Sequence, residues 1–235
     1  MKQTFIISPH LDDAAFSLGG VLSKNIFDNV TIVNVFTKSC YTISGIKDSV
    51  WVTETRLNED NLFVKSINGS ALYLGYPDSS LKECYASEAD YFNPNIPPQS
   101  DPDWNSYSKE VIEIVEGNPD VLYLFPIGMG RHIEHRALSW IGAKQLELGR
   151  NMIFYEDGTY FSTRFDEGAL LAKSIGLNKS FSFYATTFED KKIMIDFYKT
   201  QLNGIILRNL EVAFKVNGEK LWSTADIFEK YHYFE

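Results

Sequence analysis

Apolar positions in this chain follow two rhythms in turn. Short apolar runs rich in β-branched and aromatic residues fall at Thr4-Phe-Ile-Ile7, Val30 to Phe36, Ala71 to Gly75, Val121 to Phe125 and Met152 to Tyr155, and Ser180 to Thr186, with polar residues among its aromatics, is a candidate sixth. Runs of this length and composition read as buried strands. Between them, apolar residues at helical spacing predict helices over 14–24, 51–67, 104–116, 133–148, 166–175 and 189–203. Strand and helix alternating in this way predict an α/β fold, with a mostly parallel sheet, right-handed crossovers and strand order 3-2-1-4-5-6.

Details of the pattern add to this frame. Gly19-Gly20 inside the first helix costs about 1 kcal/mol per glycine against alanine, which predicts close packing of that helix on the sheet. The mixed charges of the second helix, Glu54, Arg56, Glu59, Asp60 and Lys65, read as a solvated face. Tyr76 to Asp103 is irregular and proline-rich, the length and composition of a lid or substrate rim. The tail from Ile205 holds short apolar pieces to which the pattern assigns no form. Neither a repeat nor a linker divides the chain, so residues 1–235 are expected to form one domain.

Charge and composition exclude several classes of function. A net charge of −9 argues against nucleic acid as a partner, because phosphate binding needs a basic surface. No apolar run approaches the roughly 18 residues of a membrane span. Met1-Lys2-Gln3 leads straight into a strand, without the apolar core of a signal peptide. The two cysteines, Cys40 and Cys84, have no metal-site or disulfide spacing, and together these features predict a cytoplasmic protein with reduced thiols. No G-x-G-x-x-G follows the first strand, so a dinucleotide is not expected.

Three of the four histidines, His10, His132, His135 and His232, fall in two short stretches. The first is Ser8-Pro-His-Leu-Asp-Asp13, at the turn from strand 1 into a helix. His10 and Asp13 are three apart, which places them on one face of a first helical turn, with Asp12 beside them. The competing role for either aspartate is a helix cap. The second stretch is Arg131-His-Ile-Glu-His135, after strand 4. Strands 1 and 4 are neighbours at the switch point of the expected sheet, where ligands bind outside the carboxyl ends. His10, Asp13 and one of His132 or His135 would then supply three nitrogen and oxygen ligands to a divalent metal such as zinc, leaving a position open for water. Asp12 is placed to take a proton from that water, and the remaining histidine to stabilise an oxyanion.

At these residues the sequence resembles the PIG-L/LmbE-like family of metal-dependent N-acetylglucosamine deacetylases. His10-Leu11-Asp12-Asp13 matches three of four positions of that family's His-Pro-Asp-Asp motif, and His132-Ile133-Glu134-His135 keeps both histidines of its His-Pro-Asp-His motif. Weaker echoes are Arg56 with Glu59-Asp60, Tyr76 to Ser79, Tyr155 to Tyr160, and Lys192, Tyr198 and Gln201. The resemblance implies a Rossmann-like fold and zinc or another divalent metal on His10, Asp13 and His135. It also implies Asp12 as general base, His132 as its electrostatic or acid partner, Glu134 in support of the catalytic histidine, and Arg56 and Asp78 as sugar contacts. The implied substrate is an N-acetylated amino sugar or glycoconjugate. A related amide or ester hydrolase and a catalytically weak sugar-binding protein are the alternatives. Leu11 and Ile133 stand where the family has proline, Ala14 where it often has glutamate, and Glu134 where it has aspartate.

Overall fold

The computed structural model describes residues 3–163, 166–183 and 187–231, with side chains at 161–163 left aside. Strands β1 (Thr4–Ser8), β2 (Val30–Lys38), β3 (Ser70–Pro77), β4 (Leu122–Pro126), β5 (Met152–Tyr155), β6 (Lys179–Phe183) and β7 (Glu219–Ser223) form one sheet. The helices are α1 (Asp13–Ser23), α2 (Ser49–Ser66), α3 (Glu88–Tyr91), α4 (Trp104–Gly117), α5 (Ile133–Glu147), α6 (Glu167–Ser174), α7 (Phe188–Ile195), α8 (Gly204–Asn217) and α9 (Ala225–Tyr231). The expected elements fall within a few residues of these bounds, apart from 189–203 and the tail. Residues 184–186, expected at the end of the sixth strand, lie outside the described residues.

Alternation along each strand sends successive side chains to opposite faces of the sheet. Ile6, Ile32, Leu124 and Ile153 meet Phe16, Phe63, Ile195 and Leu210 on one face. Phe5, Ile7, Val33, Phe125 and Phe154 meet Tyr107, Val111, Leu138 and Ile141 on the other. β1 lies between β2 and β4, parallel to both, with Ile6 opposite Ile32 and Leu124. The two histidine stretches therefore leave the sheet side by side, from the same edge.

The strand order is β3-β2-β1-β4-β5-β7-β6, so the expected 3-2-1-4-5-6 holds through β5 and then changes. The tail strand β7 inserts between β5 and β6 and runs antiparallel to both. Burial gives the reason. Four of the five β7 residues are buried, which suits an interior strand, whereas Lys179 and Ser180 of β6 are exposed, which suits an edge. The helix expected over 189–203 stops at Ile195. Residues 196–203 instead wrap back over α2, where Tyr198 donates to Asp60 (2.8 Å) and the Thr200 N–H and hydroxyl donate to Glu59 (2.9 and 2.6 Å). Asn203 then caps α8 by accepting from the Ile205 and Ile206 N–H groups. The α2 charges divide accordingly: Glu54 and Lys65 face solvent, but Arg56, Glu59 and Asp60 are buried. Gly19 makes the close approach expected of it, against α7 and not the sheet: a Cβ there would lie 3.1 Å from Met194 Cβ.

Candidate metal centre

The turn out of β1 is held by Ser8, whose Oγ accepts the Ala14 N–H (3.2 Å) and donates to the His10 carbonyl (2.6 Å). Asp12 occupies the N-cap position of α1, but its side chain makes no capping bond. Asp13 Oδ2 accepts the His10 N–H at 2.9 Å and lies 2.9 Å from His10 Nδ1. The capping role is thus filled from elsewhere, and both carboxylates are left for other work.

The turn out of β4 takes left-handed backbone at Gly128 (φ 87°), Gly130 (φ 75°) and Arg131 (φ 69°). A Cβ on Gly130 would lie 2.2 Å from the Tyr160 ring, so only glycine fits there. This turn delivers His132 to the N-cap of α5 and His135 to its first turn. Asp157, just after β5, fixes both the turn and the ring. One of its oxygens accepts the Gly128 and Met129 N–H groups (2.8 and 2.7 Å), and the other lies 2.6 Å from His135 Nδ1.

His10 Nδ1, Asp13 Oδ2 and His135 Nε2 converge. The three separations are 2.9, 3.3 and 3.4 Å. Donors arranged tetrahedrally at about 2.0–2.1 Å from a small divalent cation stand about 3.3 Å apart, so the set fits such an ion. The outer nitrogen of each imidazole is held by a buried carboxylate: His135 by Asp157, and His10 by Glu134 Oε2 at 2.7 Å. Carboxylates in this position orient metal-binding histidines and raise their basicity. Glu134 was expected to support the catalytic histidine, but its carboxylate lies nearer His10 than His132, whose Nδ1 is 3.7 Å away. Its extra methylene relative to aspartate gives it that reach. Lys82, from the 76–103 segment, comes up behind it with Nζ 3.6 Å from Glu134 Oε1 and 2.7 Å from Asp101.

Burial pulls the His10 and His135 pKa values down, yet the surrounding carboxylates outweigh it, holding His10 well above the usual imidazole range and His135 at about 9. Burial would raise Asp13, but His135 and His10 hold it well below the carboxylate range. A metal would therefore compete with protons for these donors. His132 differs: burial lowers its pKa to about 3, so it is neutral. Its Nδ1 has no hydrogen-bond partner among the described residues, and its ring lies among those of His10, His135, Tyr91 and Phe92. Asp12 is raised by burial, against the pull of Arg56, whose Nη2 lies 3.3 Å from its Oδ1.

These groups border a cavity of about 270 Å³. Arg56 and Asp78, expected from sequence, both line it, 3.7 Å apart and buried. Asp78 also caps the short turn after β3 by accepting from Ser80 N–H. Of the aromatics in the loops, Tyr41, Tyr91 and Phe92 reach the cavity, whereas Trp104 packs on Trp140 and Tyr107. The sequence reading gave no role to Asp157, Lys82 or Glu88. Asp157 had a usable signal, since it follows β5 at the same sheet edge as the two histidine stretches. Lys82 and Glu88 sit in irregular chain with no pattern to mark them.

Residues 5–146 match the family model described as PIG-L, GlcNAc-PI de-N-acetylase, and the chain belongs to that family. The 2'-N-acetylparomamine deacetylase of Streptomyces fradiae is 28% identical over 170 residues, a match covering 69% of this chain and 59% of that protein. Among solved structures, a deacetylase–teicoplanin complex superposes with a TM-score of 0.71 at 20% identity, covering 94% of this chain and 97% of the other. The zinc-inhibited form of teicoplanin deacetylase Orf2 also has a TM-score of 0.71, at 19% identity and the same coverage. At these identities the structural matches establish the fold. Among the described residues, no helix is long and apolar enough to cross a membrane.

Proposed function

We propose that this protein is a divalent-metal-dependent N-deacetylase, hydrolysing the acetamide of an N-acetylated amino sugar or glycoconjugate to the free amine and acetate. The observation that carries this reading is the convergence of His10 Nδ1, Asp13 Oδ2 and His135 Nε2 at 2.9–3.4 Å, with a carboxylate behind each ring. Membership of the family and the name of the Streptomyces relative support the acetamide as the bond cleaved. Residues 1–235 then act as one deacetylase domain, and zinc is the metal suited to two imidazoles and a carboxylate.

When bound on His10, Asp13 and His135, the metal supplies Lewis acidity toward water and the acyl oxygen. Asp12, buried beside that donor set, takes a proton from the attacking water, and its raised pKa makes it the stronger base. His132, neutral and within 4.8 Å of the His10 and His135 nitrogens, donates an N–H to the oxygen on which negative charge develops. The proton held by Asp12 then passes to the amide nitrogen as the C–N bond breaks, releasing the amine and leaving acetate. Arg56 holds Asp12 in place and, with Asp78, forms the wall against the sugar.

Metal content of the purified protein and acetate release from N-acetylglucosamine-type substrates, set against simple amides and esters, test this reading. Asp12→Ala should keep the metal and lose about 10²–10⁴-fold in kcat. Unchanged turnover in that variant would remove Asp12 as the base. Preference for simple esters over acetamides would replace the deacetylase reading with a different hydrolase.

A further inference from the structure

Helix α5 carries Glu134 and Arg136 on either side of His135, and both reach the proline-rich segment 76–103. Arg136 donates to the Asn93, Pro94 and Ile96 carbonyls at 3.1, 3.2 and 2.9 Å. Glu134 meets Lys82. The segment is thus fastened at two points to the helix that delivers His135, and the second tie continues into the donor set.

That tie is a chain of charges. Lys82 Nζ lies 2.7 Å from Asp101 Oδ2 and 3.6 Å from Glu134 Oε1, and Glu134 Oε2 lies 2.7 Å from His10 Nε2. Lys82 is buried, with its ammonium 4.9 and 5.9 Å from the centres of the Phe36 and Tyr107 rings. Stability alone is a weak reason for a lysine in this place, because a buried ion pair roughly breaks even against apolar side chains of similar size. What the pair fixes is direction. The two oxygens of a carboxylate share one rigid plane, so a cation on Oε1 sets how Oε2 meets the His10 ring.

The other ring shows why this matters. Asp157, which orients His135, is itself held by the Gly128 and Met129 N–H groups. Among the described residues Glu134 has no backbone donor, and its Oε1 has no hydrogen-bond partner of any kind. Lys82 is the cation that stands where the backbone stands for Asp157.

Resting on the metal site of the deacetylase reading, we propose that Lys82 is a positioning residue, which holds the Glu134 carboxylate against His10 and so makes the 76–103 segment part of the support of the donor set.

The test measures metal affinity, by competition with a chelator, for the parent, Lys82→Met, Glu134→Gln and the double variant. Lys82→Met keeps a stem between the two rings and removes the ammonium. Affinity should fall about 5-fold, less than the roughly 10-fold lower limit for losing the carboxylate itself. In the Glu134→Gln background the same substitution should cost almost nothing, because no carboxylate is left to hold. Lys82→Arg, which can still bridge Asp101 and Glu134, should keep most of the parent affinity. Equal losses in both backgrounds would overturn the proposal, since a lysine that only steadies the fold costs the same with or without Glu134. An unchanged affinity in Lys82→Met would overturn it as well. Where Lys82→Met does not fold, the shorter, uncharged Lys82→Gln takes its place. A second readout needs no metal: in the metal-free protein, the ring-nitrogen NMR signals of His10 should shift in Lys82→Met while those of His135 hold. Shifts at both rings, or at neither, would count against Lys82. A parent that binds no divalent metal and releases no acetate fails the deacetylase reading, and the His10 signals then still decide the role of Lys82.

Discussion

Glu134 shows how much one methylene can redirect. The resemblance puts aspartate here and implies that the residue supports the catalytic histidine. In the structure its carboxylate reaches past His132 to His10 Nε2 at 2.7 Å, with Lys82 behind it. Burial alone would raise Glu134, but His10 and then His132 and Lys82 hold it at about 2, so it is fully charged where it meets the ring. Restoring the family residue should therefore weaken the site. Glu134→Asp draws the carboxylate back from His10 and frees that ring to turn. Metal affinity, read by competition with a chelator, should fall about 10-fold, the lower end of the range for losing such a support. Affinity equal to or better than the parent's would mean that Glu134 does not position His10.

At the scale of elements, the sequence was legible wherever one periodicity ran unbroken. β1, β2, β4 and β5, and α1, α2, α4 and α5, fall where their apolar runs predict, and these elements bring the two histidine stretches together. The pattern failed where side-chain bonds override periodicity. Residues 196–203 carry enough apolar positions to read as helix, yet Asp60 and Glu59 on α2 capture Tyr198 and Thr200 and end the helix early. Those two carboxylates look like solvated charges because period alone cannot see a segment folding over them. Asp60 illustrates the energetic result. It accepts from Tyr198, Tyr73 and Asn34 at 2.8, 2.8 and 3.0 Å, but burial prevails and raises its pKa to about 6. An acid raised on folding binds protons more tightly in the native state, so stability falls as pH rises from about 4 through 6, by up to about 3 kcal/mol in full. Asp60→Asn removes that slope. Denaturant unfolding at pH 4.5 and pH 7 should show the parent losing stability relative to the variant over this interval. Parallel curves for the two proteins would show that Asp60 is ionised at no cost.

For the whole molecule, the unexpected strand is what ties the tail to α1, the helix that begins at Asp13. β7 sits between β5 and β6 and carries Glu219, which is 2% exposed. Its two oxygens accept the Gly20 and Val21 N–H groups of α1 at 2.9 and 2.6 Å, and Lys191 of α7 closes the cluster at 2.7 Å. Lys191, 3% exposed, also donates to the Ser17 carbonyl at 3.3 Å. A pair this buried contributes little net stability, because both ions lose their water, but removing one partner strands the other. Glu219→Ala and Lys191→Met should each cost about 3–5 kcal/mol. The double variant should cost less than the sum, with a coupling of more than about 1 kcal/mol in a denaturant-based cycle. The pair lies on the far half of α1 from Asp12 and Asp13, so it supports the fold without touching the donors. Metal affinity of the folded fraction should therefore stay near the parent value while the unfolding midpoint drops. Additive costs in the cycle would show that Lys191 and Glu219 act separately. A loss of metal affinity parallel to the loss of stability would show that β7 shapes the donor set itself, through α1, and not only the body that carries it.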